Sequence, residues 1–122
     1  MAKIIPLSDT TEVHMKEKFT HKAEMAFVAA RDRGAVDKEY MESDPATDKP
    51  VFKSHRETPV VNGPVAIDAA LLVMIERVKK GDAEVTASQD WLDNLDETDH
   101  LSLAQSMMDI RREGRERGKK SA

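Results

Sequence analysis

A chain of 122 residues with 39% hydrophobic and 34% charged side chains has room for one modest core and is too short for two full domains. It has no cysteine, which excludes disulfides, thiolate nucleophiles and Cys-ligated zinc, and its net charge of -4 argues against generic affinity for nucleic acid or an anionic membrane. No apolar leader follows Met1 and no run approaches a bilayer span, so the expected location is cytoplasmic or within a macromolecular assembly, with no membrane contact.

Residues 1–8 read as an extended arm, because Ile4 and Ile5 are β-branched and Pro6 disfavours a helix. Residues 9–42 read as an N-terminal helical segment: Asp9 and Glu12 have capping-box spacing, and no Gly or Pro follows until Gly34. Along it Phe19, Ala23, Ala26, Phe27 and Ala30 share a helical face. Beyond Gly34, further turns are expected over Val36–Glu42. Pro45, Pro50, Pro59 and Pro64, with Asn62-Gly63, then mark residues 43–63 as a proline-rich extended connector. Two apolar pairs inside it, Val51-Phe52 and Val60-Val61, suit either packing onto the chain's own helices or anchoring onto a partner's groove or sheet edge.

Residues 64–122 read as a three-helix unit with a basic C-terminal tail. Pro64 opens its first helix, expected to run to Lys80 and stop at Gly81. Within it, Val65 to Ile75 contains a single polar side chain, Asp68. Thr86 and Gln89 have capping-box spacing for a short helix presenting Trp91, Leu92 and Leu95. A last helix is expected from Thr98 or Asp99, with Leu101, Ala104, Met107, Met108 and Arg111 at helical spacing. The expected fold class is therefore all-α.

The Val65–Ile75 run needs cover on nearly all sides. Trp91, Leu92, Leu95, Leu101, Met107 and Met108 supply about half of its circumference, by the usual width of an apolar stripe. Either Phe19 and Phe27 of the same chain or a foreign surface supplies the rest. Candidate partner-contact residues are thus Phe19, Phe27, Val51, Phe52, Val60, Val61 and Leu72. The function expected from them is non-enzymatic: protein–protein interaction or self-association, as a subunit or accessory factor of a larger complex, viral and mobile-element assemblies included.

The charge distribution supplies an alternative. Residues 1–63 carry 10 basic and 11 acidic side chains, residues 64–110 carry 3 and 10, and residues 111–122 carry 6 and 2. The basic C-terminal set, Arg111, Arg112, Arg115, Arg117, Lys119 and Lys120, suits phosphate contact by a small nucleic-acid-binding regulator. Against this, Glu113 and Glu116 dilute it, no aromatic residue is interleaved for base stacking, and i,i+4 pairing also describes an ordinary solvated helix. A helix-turn-helix over 86–117 is disfavoured, since Asp96, Glu97 and Asp99 occupy the end that would face the groove.

Chemistry-bearing patterns are sparse. His14-x-x-Glu17 and His21-x-x-Glu24 would share a helix face, but with the histidines about 10 Å apart they cannot hold one ion. Ser54-His55 and His100-x-Ser102 are sequence neighbours without a glycine elbow, which is not how nucleophilic triads are built. Asp90, Asp93, Asp96 and Asp99 read as a solvated acidic face. No enzyme activity, cofactor or metal is expected.

Overall fold

The computed structural model describes residues 2–121, with side chains described for residues 2–117. Among the described residues it is a mixed α/β fold of six strands and four helices, which overturns the all-α, helical expectation. In chain order these are β1 (Ala2–Pro6), β2 (Thr11–Lys16), α1 (His21–Arg31), β3 (Val36–Ser43), β4 (Pro50–Glu57), α2 (Asn62–Met74), β5 (Ile75–Lys80), β6 (Ala83–Val85), α3 (Gln89–Asp93) and α4 (Glu97–Ser121). No described helix is long and apolar enough to cross a membrane.

The first correction lies at residues 9–16. Asp9 does not cap a helix; its Oδ1 accepts the Thr11 amide at 2.9 Å, closing the turn between β1 and β2. Thr11, Val13 and Met15 are buried while their neighbours face outward, a period of two that belongs to a strand. Helix α1 starts only at His21, with Thr20 Oγ1 accepting the Ala23 amide as its cap.

The second correction concerns the apolar run, whose helix ends at Met74. The chain passes straight into β5, which pairs with β2. Ile75 and Val78 both face inward although three residues apart, because the pairing skips Glu76 and the resulting bulge resets the alternation. Gly81, at φ 62°, makes the turn into β6 rather than ending a helix. The antiparallel sheet has the order β1-β2-β5-β6, and one inward row, Ile5, Val13, Val78 and Val85, crosses all four strands. The opposite row sets Glu12 beside Lys79 beside Glu84, alternating in sign on the solvent side.

Helix α2 lies at the centre of the core. Ala66, Ala70, Leu71 and Met74 are fully buried among Ala23 and Phe27 of α1, Leu92 of α3, Leu103, Met107 and Ile110 of α4, and the inner face of the sheet. The chain itself therefore covers the run, leaving Val65 out at 52% exposed. Asp68, its one polar side chain, ties three helices together: Oδ2 accepts Gln89 Nε2 of α3 at 3.0 Å, and Oδ1 lies 2.6 Å from His100 Nε2 of α4. Lys16 Nζ donates to the Val73 carbonyl at 2.8 Å, satisfying an acceptor at the end of α2. Ser88, not Thr86, caps α3, its Oγ accepting the Trp91 amide.

Two buried polar residues lock the remaining joints. Asp99, in the first turn of α4, accepts both the amide and the hydroxyl of Ser8, at 2.9 and 2.8 Å, and so ties α4 to the β1–β2 turn. Asn62 donates from Nδ2 to the carbonyls of Arg31 and Arg33, at 2.9 and 2.6 Å, fastening the start of α2 to the end of α1.

Candidate protein-interaction surface

Residues 36–57, expected as helical turns followed by an extended connector, form a two-stranded antiparallel hairpin outside the main sheet. Its prolines sit where strands tolerate them: Pro45 in the turn, Pro50 at the start of β4, and Pro59 beyond its end. The turn spans Asp44 to Lys49. Asp44 Oδ1 accepts the Ala46 amide at 2.9 Å, and Asp48 takes a left-handed conformation at φ 54°, which aspartate accepts more readily than bulkier residues.

All sixteen strand residues of this arm are exposed. One face carries cross-strand ion pairs, Lys38–Glu57 at 2.9 Å and Lys53–Glu42 at 2.7 Å, together with an edge-on Tyr40–His55 contact at 5.5 Å. The bonds from Lys38 and His55 hold the Glu57 carboxyl below its ordinary pKa, and the Glu42 bond raises that of Lys53. Exposed pairs of this kind contribute little to stability, so they set the register more than they hold the arm. The other face presents Met41 directly across from Phe52, flanked by Arg56–Asp37 at 3.1 Å. Phe52 is 76% exposed and Met41 59%. At the root of the arm Val36, Val60, Val61 and Val65 add further exposed apolar surface.

The partner-contact residues expected from sequence separate into two groups. Val51, Phe52, Val60 and Val61 are exposed, on or just beyond the arm, whereas Phe27 is buried and Phe19 and Leu72 are half-buried against the core. Tyr40 and Met41 join the exposed group although the sequence does not single them out, because a helical reading of Val36–Glu42 conceals the strand that carries them. Their signal is the pairing of two eight-residue segments across a turn rich in Asp and Pro.

A second surface lies at the opposite end of α1. An open groove of about 380 Å³ runs between the start of α1 and the far part of α4, lined by Phe19, Thr20, His21, Glu24, Arg111, Gly114 and Arg115. Arg111 is anchored there by a two-pronged bond to Glu24, both contacts at 2.9 Å, with its guanidinium 4.7 Å from the Phe27 ring centre and 5.9 Å from that of Phe19. Arg111 thereby lowers the pKa of Glu24. Arg115 approaches the same carboxylate at 3.6 Å but stays 61% exposed.

The same geometry bears on the basic residues considered for phosphate contact. Arg111 is committed to Glu24, and Arg112 bonds Asp109 at 3.0 Å. Arg115 and Arg117 are exposed, and Lys119 and Lys120 lie outside the residues whose side chains are described. His14 is on β2 and His21 opens α1, so the two His-x-x-Glu pairs share no helix. His14 Nε2 is buried without a hydrogen bond among the described residues, its nearest carboxylate being Glu12 at 3.8 Å. No group of three candidate metal ligands occurs among the described residues. Comparison of the chain with family models, curated proteins and solved structures returned no match.

Proposed function

We propose that the chain is a non-enzymatic interaction protein, a subunit or accessory factor of a larger assembly, and that the β3–β4 arm is its contact element. The observation that supports this is the exposure of every strand residue of the arm around an unpartnered Met41–Phe52 pair. An isolated two-stranded hairpin is marginal in water, and a large aromatic left 76% exposed on it contributes little to the fold until something covers it. The body supports the arm without needing it, because Asn62 closes the arm's root against the end of α1. The place of work is then the assembly that the arm joins.

The test is site-specific photo-crosslinking in the native host. A photoreactive residue at position 52 is expected to give discrete protein adducts, and the same residue at position 76, on the solvent side of β5, is expected to give none. Equal labelling at the two positions, or none at either, removes the proposal.

A further inference from the structure

The arm and the groove stand at opposite ends of α1. The arm leaves the body beyond Arg31, whereas the groove is built on Phe19, Thr20 and His21 at the start of the helix, about 16 Å away for eleven residues at 1.5 Å each. The arm extends about 27 Å, eight residues at roughly 3.4 Å each. It does not fold back onto its own body, since all its strand residues are exposed.

The two surfaces are complementary in charge and in kind. Residues 42–49 at the arm's tip carry 3 acidic side chains, Glu42, Asp44 and Asp48, and 1 basic, Lys49, whereas the groove is lined by Arg111 and Arg115 against the one carboxylate of Glu24. The groove offers the Phe19 ring and the exposed Arg115 guanidinium; the arm offers Phe52, Met41 and carboxylates. Glu24 also lines the groove, but both its oxygens are held by Arg111, so it presents little free negative charge.

Resting on the proposed role of the arm, we infer that its partner is a second copy of this chain, whose α1–α4 groove receives the Met41–Phe52 face and acidic tip in a head-to-tail contact. A symmetric pairing of two arms offers less surface. One arm face, about 27 Å long and about 10 Å wide, offers roughly 270 Å², far below the roughly 800 Å² per partner that a stable pair buries. Seating the tip in a groove engages both faces and the turn. A contact between different patches at opposite ends also repeats, closing into a ring or continuing as a filament.

Two variants of the full chain test this: Phe52→Glu on the arm and Arg115→Glu at the groove. Both positions are exposed, and Glu24, which Arg115→Glu brings close to a second carboxylate, stays held by Arg111. Thermal melting of each variant, followed by circular dichroism, is therefore expected to remain cooperative and to fall little below wild type, which keeps loss of folding from imitating loss of contact. Light scattering across a concentration series is expected to show wild type passing beyond dimer. Each variant alone is expected to weaken self-association roughly tenfold or more. Mixed one to one, the variants retain one intact arm and one intact groove between them, so they are expected to form a dimer that grows no further. A wild-type chain that stays monomeric throughout, or a mixture that forms no dimer, overturns the head-to-tail contact. If position 52 still crosslinks to a different protein, the arm keeps its role and only the identity of its partner is wrong.

Discussion

Asn62 offers a sharp test of how the body is held together. Its side chain is 8% exposed, and both carbonyls it reaches, those of Arg31 and Arg33, accept from the same Nδ2 atom. Replacing Asn62 with alanine removes two hydrogen bonds, each worth about 1 kcal/mol net, and leaves acceptors without donors at the end of α1, so a loss of about 2 to 4 kcal/mol is expected. Asn62→Asp keeps the shape but aims a carboxylate at two carbonyl oxygens. It is therefore expected to cost more than alanine at neutral pH, in spite of being the closer match in size. Urea unfolding followed by circular dichroism gives both values. If the aspartate variant is as stable as wild type, the side chain is not a donor bridging α1 and α2, and the account of how the arm's root is closed fails.

Further expectations concern the helices around α2. Arg111 keeps Glu24 ionised to lower pH than usual, so the stability this pair supplies is fully present above the unfolded carboxylate's pKa and is lost as pH falls through the lowered folded value. Arg111→Met should cost about 2 kcal/mol at pH 7 and shrink the stability difference between pH 7 and pH 3; an unchanged difference would refute the coupling. Leu71→Ala, at a fully buried position, is expected to cost about 3 kcal/mol in urea unfolding, against less than about 0.5 kcal/mol for Val65→Ala on the exposed side of the same helix. Equal losses would mean that α2 is not oriented as described. Asp99→Ala should destabilise by about 2 kcal/mol and exceed Ser8→Ala, which spares the backbone bond; amide exchange at Ser8 should quicken only in the Asp99 variant.

The helical core is legible in sequence where the apolar pattern is dense. The Val65–Ile75 run is a helix up to Met74, and Leu92 and Met107 converge on it as expected, whereas Leu103 takes the inward place expected of Leu101, which is 54% exposed. Its far end is not legible, because Ile75–Lys80 becomes a strand with no intervening loop and the bulge at Glu76 disguises the strand alternation. At Thr11–Lys16 three inward residues over six positions compete with an apparent capping box, and long-range pairing with β1 and β5 decides for the strand. Residues 36–43 hide their strand character differently. Neither face is buried, so no hydrophobic period marks it. Val51-Phe52 and Val60-Val61 stand out as apolar pairs in polar surroundings, whereas the groove, built from Phe19 and Arg115 ninety-six positions apart, exists only once α4 lies across α1. Asn62 and Asp99 carry no local signature of burial, since their partners, the Arg31 and Arg33 carbonyls and Ser8, are also brought to them only by long-range packing.

The placement of the arm between α1 and α2 has a consequence for chain continuity. The elements before it, β1, β2 and α1, are bound to the later half of the chain by pairing of β2 with β5 and packing of α1 on α2. The covalent link through the tip is thus not needed to keep the two halves in register. A single cut between Pro45 and Ala46 is expected to leave two fragments that stay joined as one folded body, and separately made halves should find each other and rebuild it. The molecule is in this sense a two-piece protein carried on one chain, and new ends placed at the arm's tip should be tolerated without disturbing the core.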